Sequence, residues 1–313
     1  MNLIFNKYCY YNKNQLVTKG TQKKPFSELN LTNNKKVELD NVLFLYNTWD
    51  KNFRHYMIET FILLSYIFNK NFKPNKFKIM VVKPIKNYQI QTLEILDLTK
   101  YIIYHEENVV YNIKNLIWSH KITFKNKNNE NYKMLLSTLI NNSKKISKVK
   151  QYDMIYLSRE HADGQQRQHR YIINQNEVSQ IFNKYGYIKM RIDNLDFWDQ
   201  ISIINNAKKV ITIIGANCEN ISFANNNCKF SIIYAENQLS WINWYYCNSL
   251  HKISCSRKIS TLGLKDQLNG AYKVDIELLE KKLNKQNINA HFKKMTMPFN
   301  KSSSNILYKR KMW

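Results

Sequence analysis

His55 and Glu59 stand four residues apart in NFRHYMIETF, the segment from Asn52 to Phe61, and share one face of any helix that forms there. An imidazole backed by a carboxylate can take a proton from a hydroxyl group. The same spacing also suits a core histidine satisfied by a capping or salt-bridged glutamate. A second group of residues points to phosphate chemistry. In VITIIGANCENISF, Val210 to Phe223, a fully apolar run meets Gly215, Ala216 and Asn217 and then a helical pattern. A strand feeding a glycine turn and a helix start presents unpaired backbone N–H groups, which is a ready seat for a phosphate or diphosphate. It is equally the geometry of a plain strand-to-helix turn. Arg159 follows the apolar run MIYLS, and Arg167, His169 and Arg170 follow it in a polar loop. A guanidinium at the carboxyl end of a neighbouring strand would grip a diphosphate at two points and offset charge on a leaving group; as ordinary loop arginines they would be solvated surface.

These residues need elements to carry them. Val42 to Tyr46, Phe77 to Val82 and Tyr101 to Tyr104 read as strands, with helices over Phe53 to Phe68 and Gln89 to Leu98. Thr123 to Asn131, a helix to about Ile140 and the basic run to Lys150 read as a crossing between units. Beyond it, Met154 to Ser158, Tyr187 to Ile192, Val210 to Ile214 and Phe230 to Tyr234 read as strands. Helices are expected over Gln175 to Tyr185, closed by Gly186, over Asp196 to Ala207 with Asp196 as N-cap, and from Asp275 to Lys285. Strands alternating with helices predict an α/β protein with mainly parallel sheets. The expected division is 1–148, 149–275 and a C-terminal helix and basic tail over 276–313, with a ligand cleft between the first two units.

Composition narrows the classes. The chain has 313 residues, 44% of them hydrophobic, with six Gly and four Pro, so a folded core is expected and fibrous or linker-like architectures are excluded. Net charge is +25, carried by 41 Lys and only 7 Arg, alongside 43 Asn. That profile matches an AT-rich coding bias, and the lysines are spread out except at Lys144 to Lys150 and Tyr308 to Trp313. Nucleic acid is therefore a weaker partner than a phosphate-bearing small molecule. Five cysteines without a Cys-x-x-Cys pair fit neither a disulfide framework nor zinc. No apolar leader and no stretch of roughly 20 apolar residues occur, so a soluble cytoplasmic protein with no membrane insertion is expected. Asp-x-Asp, Walker, Gly-x-Gly-x-x-Gly, Gly-x-Ser-x-Gly and His-Glu-x-x-His motifs are all absent, which predicts no metal site and no bound cofactor.

Six segments, LFLYNTWDKNFRHYMIETF, QIQTLEILDL, MIYLSRE, RYIINQNEV, DFWDQISIINNAKKVITIIGANCENISF and DIELLEKKL, occur in this order between Asn41 and Lys285. In that order they resemble glycosyltransferase family 61, which includes plant xylan xylosyl- and arabinosyltransferases and animal O-linked and O-mannose-linked N-acetylglucosaminyltransferases. The resemblance implies a GT-B-like fold of two Rossmann-type domains. It also implies inverting transfer from a nucleotide sugar, UDP-GlcNAc or UDP-xylose in type, to a glycan or glycoprotein hydroxyl. Asn52, His55 and Glu59 match the family's Asn-x-x-His-x-x-x-(Asp/Glu) segment, and Arg159 its arginine after serine. Arg170 and Asn174 match Arg-x-x-x-Asn, and Glu177 the acidic residue opening the next helix. Gln200 and Ala207 match the helix before the key strand, and Gly215, Ala216 and Asn220 the Gly-Ala-x-x-x-Asn turn.

Two positions depart from the family pattern. Ile214 stands where a histidine precedes the Gly-Ala turn, and Ile232 lies on the strand that carries Val-Ile-Glu in the family, with Glu236 a few residues on as a candidate ribose contact. The expected enzyme is metal-independent: His55 or Glu59 serves as base, and Arg159, Arg170, Asn174, Gly215, Ala216, Asn217, Asn220 and Glu236 serve the donor. The rival readings are a catalytically silent relative that binds nucleotide, glycan or protein, and a lysine-driven nucleic-acid binder.

Overall fold

The computed structural model describes residues 4–6, 9–12, 15–18, 35–46, 50–69, 72–73, 76–106, 109–118, 130–158, 172, 174–213, 215–235, 256–261 and 274–287. Two sheets organise them. The first has seven strands, β1 (Ile4–Asn6), β2 (Cys9–Asn12), β3 (Gln15–Thr18), β4 (Lys35–Leu45), β5 (Lys78–Val81), β6 (Ile102–Tyr104) and β7 (Val109–Ile117), in the order β1-β2-β3-β7-β4-β5-β6. Strands β7, β4, β5 and β6 run parallel, and β1 to β3 extend them as an antiparallel meander. The second sheet is wholly parallel: β8 (Met154–Leu157), β9 (Ile188–Met190), β10 (Lys209–Ile213), β11 (Lys229–Ala235) and β12 (Ser256–Thr261), ordered β12-β11-β10-β8-β9.

Among the described residues six α-helices, with shorter 3₁₀ and π segments, accompany these strands: α1 (Phe53–His55), α2 (Asn87–Ile95), α3 (Glu130–Ile146), α4 (Gln175–Lys184), α5 (Phe197–Asn206) and α6 (Ile276–Asn287). No helix among the described residues is long and apolar enough to cross a membrane. Alternation of side chains along β4 sends Leu43 and Leu45 into one buried cluster and Val42, Phe44 and Tyr46 into another on the opposite face. Strand β10 is β-branched from Val210 to Ile213, and Val210, Ile211, Thr212 and Ile213 are all buried because helices or loops cover both faces of a parallel sheet.

The larger cluster joins both sheets. In α3, Tyr132, Leu135, Leu136, Leu139 and Ser143 recur at helical spacing and are buried; the helix packs on the Phe61–Phe68 segment and on α5. Between α3 and α5 the two halves share packed core rather than solvent. An aromatic chain reinforces the contact: Tyr88 to Phe53 at 5.3 Å, Phe53 to Phe197 at 5.9 Å and Phe197 to Phe223 at 5.6 Å between ring centroids, all edge-on.

Around the helices that flank the sheets, local signals are realised at Gly186 and revised at the α5 cap and over Phe53 to Phe68. Helix α4 ends as expected: Gly186 has φ 80°, its N–H bonds the Asn183 carbonyl, the Tyr187 N–H bonds the Phe182 carbonyl, and the Phe182 and Tyr187 rings meet at 5.6 Å. A Cβ at Gly186 would meet nothing within 4 Å, so Gly186→Ala carries only the backbone penalty of a left-handed residue. Urea unfolding should show a loss of about 1 kcal/mol, smaller for Gly186→Asn. Asp196 does occupy the N-cap of α5, but its side chain makes no cap bond. Gln91, from α2, accepts from the Phe197 N–H at 2.7 Å and donates to Asp196 Oδ1 at 2.7 Å, so the cap is supplied by another helix. The second revision concerns Phe53 to Phe68: α-helical to His55, π-helical over Tyr56–Thr60, then 3₁₀ to Phe68. β-branched Thr60, at φ −107°, marks the change, and the Phe61 N–H reaches back five residues to Tyr56.

Candidate functional site

In the second sheet β8 leads to β9 on one side, and the chain then returns to place β10 on the other. The two connections diverge between β8 and β10, paired Leu157 to Thr212 at their carboxyl ends. Open α/β sheets bind ligands at such a switch point. Gly215, Ala216 and Asn217 stand there, after β10, and open the Ala216–Phe223 segment. This segment is 3₁₀, not the α-helix that the sequence suggests, and its first bond is from the Cys218 N–H to the Gly215 carbonyl at 3.0 Å. The Ala216 and Asn217 N–H groups precede that bond, as the first donors of a helix do, and both residues are partly exposed. The far end is clamped to α5: Asn205 donates to the Phe223 carbonyl and Asn225 to the Asn205 carbonyl, each at 2.6 Å.

Asn220 lies beneath the bend, buried, donating to the Asn217 carbonyl at 3.1 Å, while its Oδ1 has no hydrogen-bond partner among the described residues. That bond closes the turn from Asn217 to Asn220. Arg159, Arg167, His169, Arg170, Ile214 and Glu236 lie outside the described residues; Arg159 comes directly after Ser158, at the end of the strand adjoining β10. Asn174 holds both the N–H and the carbonyl of Val274 at 2.9 Å and Glu177 at 3.0 Å, so its amide ties the segment before α6 to the start of α4. Gln200 donates to the Leu195 carbonyl at 2.8 Å, and Ala207 is buried at the end of α5; both support the scaffold. Ile232 pairs with Thr212 in β11 and is buried.

The other half of the site comes from α1. Asn52 caps this turn, its Oδ1 accepting the Arg54 N–H at 3.1 Å. His55 Nδ1 and Glu59 Oε1 are 2.8 Å apart, so the expected pairing forms across the π turn. With Nδ1–H donated to the carboxylate, the lone pair rests on Nε2. Both side chains are partly exposed, at 33% and 26%, and can meet a solute.

Sequence reasoning missed the contact that joins these halves. Helix α1 packs on the Ala216–Phe223 segment, and Arg54 Nε lies 3.7 Å from Glu219 Oε1 with both side chains buried. Burial pushes the Glu219 carboxyl up to about 7, against the lowering pull of Arg54 and then His55. Tyr132, on α3, adjoins the same carboxylate; burial and then that charge raise its phenol. No local signal marked it: Arg54 stands among Lys51, Asn52 and His55 and Glu219 between Asn217 and Asn220, polar surroundings that read as solvated turns. The arrangement therefore sets an oriented imidazole, an amide-rich bend and a buried ion pair along one seam. Such a set can remove a proton from a hydroxyl near a bound anion.

No curated protein matches the chain. A family model described as Glycosyltransferase 61 matches residues 53–231, from the α1 turn into the start of β11. The match spans more than half of the chain and contains both the His55–Glu59 pair and the Gly215–Asn220 bend, and on that ground the chain belongs to glycosyltransferase family 61.

Proposed function

We propose that the protein is an inverting, metal-independent glycosyltransferase of GT-B-like design that takes its sugar from a UDP-sugar and gives it to a glycan or glycoprotein hydroxyl. The observation that carries this reading is the packing of the α1 turn, with His55, against the segment that opens at the switch-point bend. In this scheme His55 Nε2 accepts the proton of the acceptor hydroxyl while its oxygen forms a bond to the anomeric carbon. The bond from that carbon to the diphosphate oxygen breaks on the opposite face, and the electron pair leaves with UDP. Glu59 holds the tautomer and steadies the imidazolium. Amides of Ala216 and Asn217, with Arg159, meet the charge that grows on the diphosphate. The chain has no Asp-x-Asp, and this reading assigns the charge compensation to amides and guanidinium.

Calorimetric titration with a panel of UDP-sugars tests the donor. At least one is expected to bind, and Ala216→Pro, which removes one amide at a helix position that tolerates proline, should weaken it by about tenfold. Binding by no member of the panel, or full affinity in Ala216→Pro, overturns the reading. A silent, binding-only relative is the second reading, motivated by Ile232: its buried alkyl chain occupies the strand that carries the family's glutamate. Release of UDP from the bound donor, by transfer or hydrolysis, separates the two.

A further inference from the structure

Arg54–Glu219 is the ion pair, among those of the described residues, that is buried at both ends, with side-chain exposures of 10% and 6%. Lys35–Glu106, Lys184–Glu280 and Lys208–Asp153 each have at least one largely exposed partner, and His55–Glu59 is partly exposed at both ends. It also spans the seam between the two sheets: Arg54 sits between the cap Asn52 and His55, and Glu219 follows the Gly215–Asn217 bend in the same 3₁₀ segment. The groups facing the carboxylate are Arg54 and His55 from α1 and Tyr132 from α3, with Glu59 behind His55.

We propose, building on the transferase reading, that Arg54 and Glu219 are a positioning pair: their buried contact holds the His55 turn against the bend and sets the separation between proton acceptor and donor diphosphate. Neither residue touches the reacting atoms. The energetics favour work over stability. The Glu219 carboxyl stays raised, to about 7, although two neighbours lower it, so desolvation outweighs the attraction of Arg54 and the ionised pair is a net cost to folding. Costs of this kind concentrate at functional sites. The Nε–Oε1 separation of 3.7 Å is longer than a charge-assisted hydrogen bond, so this ion pair fixes the spacing of the backbone segments more than it binds them.

The sign of the pH effect follows. Between the ordinary carboxylate value of 4.5 and about 7 the folded state holds the Glu219 proton more firmly than the unfolded chain does. That contribution to stability is complete below 4.5, declines as pH rises through the window and is gone above about 7. Glu219→Gln removes the decline. It should match the wild type in thermal unfolding at pH 5 and exceed it at pH 8 by on the order of 5 °C. At the same time kcat should fall by about tenfold, with the UDP-sugar Kd within about threefold of wild type, because charge-assisted bonds are roughly twice as strong as neutral ones. Arg54→Met should also lower kcat, and Arg54→Met/Glu219→Gln should be no slower than the worse single variant. If Glu219→Gln does not fold, that double variant, which removes both charges, carries the comparison. Loss of pH 8 stability together with turnover shows a structural brace and overturns the pair. So does wild-type turnover in Glu219→Gln while UDP-sugar still binds. A wild type that binds no UDP-sugar overturns the transferase reading as well.

Discussion

His55→Ala should bind the UDP-sugar as the wild type does and turn it over about 10²- to 10⁴-fold more slowly, the range a positioned general base contributes. The argument is geometric. Nδ1 is held at 2.8 Å by Glu59, which leaves Nε2 as the basic nitrogen, and the side chain stands at the seam where the α1 turn meets the segment opened by the Gly215–Asn217 bend. Because the imidazole is one-third exposed, its removal opens no sealed cavity and should leave thermal unfolding nearly unchanged. Glu59→Gln, which keeps a bond to Nδ1 but not the charge, should lose less, about tenfold. UDP release in the presence of water alone supplies the assay, so no acceptor need be known. A His55→Ala protein with wild-type turnover would remove His55 from the scheme and leave the transferase reading without its base, whereas a wild type that binds the donor and releases no UDP would leave the binding-only reading.

The largest loss of stability is expected at Phe197. Its ring is fully buried and stands edge-on between Phe53 of α1 and Phe223 of the Ala216–Phe223 segment, so one side chain plugs the space where α1, α5 and the second sheet meet. Phe197→Ala removes the transfer energy of the ring and leaves a cavity that three rigid elements cannot close, a cost of about 3–5 kcal/mol. Urea unfolding should show a lower midpoint with an unchanged m-value. Phe197→Leu should recover more than half of the loss by retaining most of the volume. A change below about 1 kcal/mol in Phe197→Ala would mean that the seam between the two halves is loosely packed.

Legibility in the sequence tracked how local the cause was. Gly186 was readable because a left-handed helix terminus is chemistry within five residues, and β10 because a β-branched, largely apolar run belongs in a covered parallel sheet. The 3₁₀ form of Ala216–Phe223 was not: its geometry follows from the clamp between Asn205, Asn225 and Phe223, residues about 20 positions apart. Strand β7 escaped notice although it lies in the centre of the first sheet. Its Asn112, Lys114 and Asn115 read as loop residues, yet Val109, Val110, Tyr111 and Ile113 are buried. The meander of β1 to β3 and the edge strand β12 are three to six residues long and carry polar residues, too short to show a hydrophobic period.

By itself, then, the sequence determined the alternation of strands and helices, the pairing of His55 with Glu59, the bend at Gly215 and the family, since each is written in spacings shorter than a few turns or in the order of motifs along the chain. Tertiary structure alone decided that β8 and β10 adjoin at the switch point, that Gln91 rather than Asp196 caps α5, that Asn174 binds Val274, and that Arg54 meets Glu219. These contacts join residues from 55 to 165 positions apart. Their partners are selected by which surfaces must be buried together and which buried charges must be matched, and that selection exists only once the chain has folded.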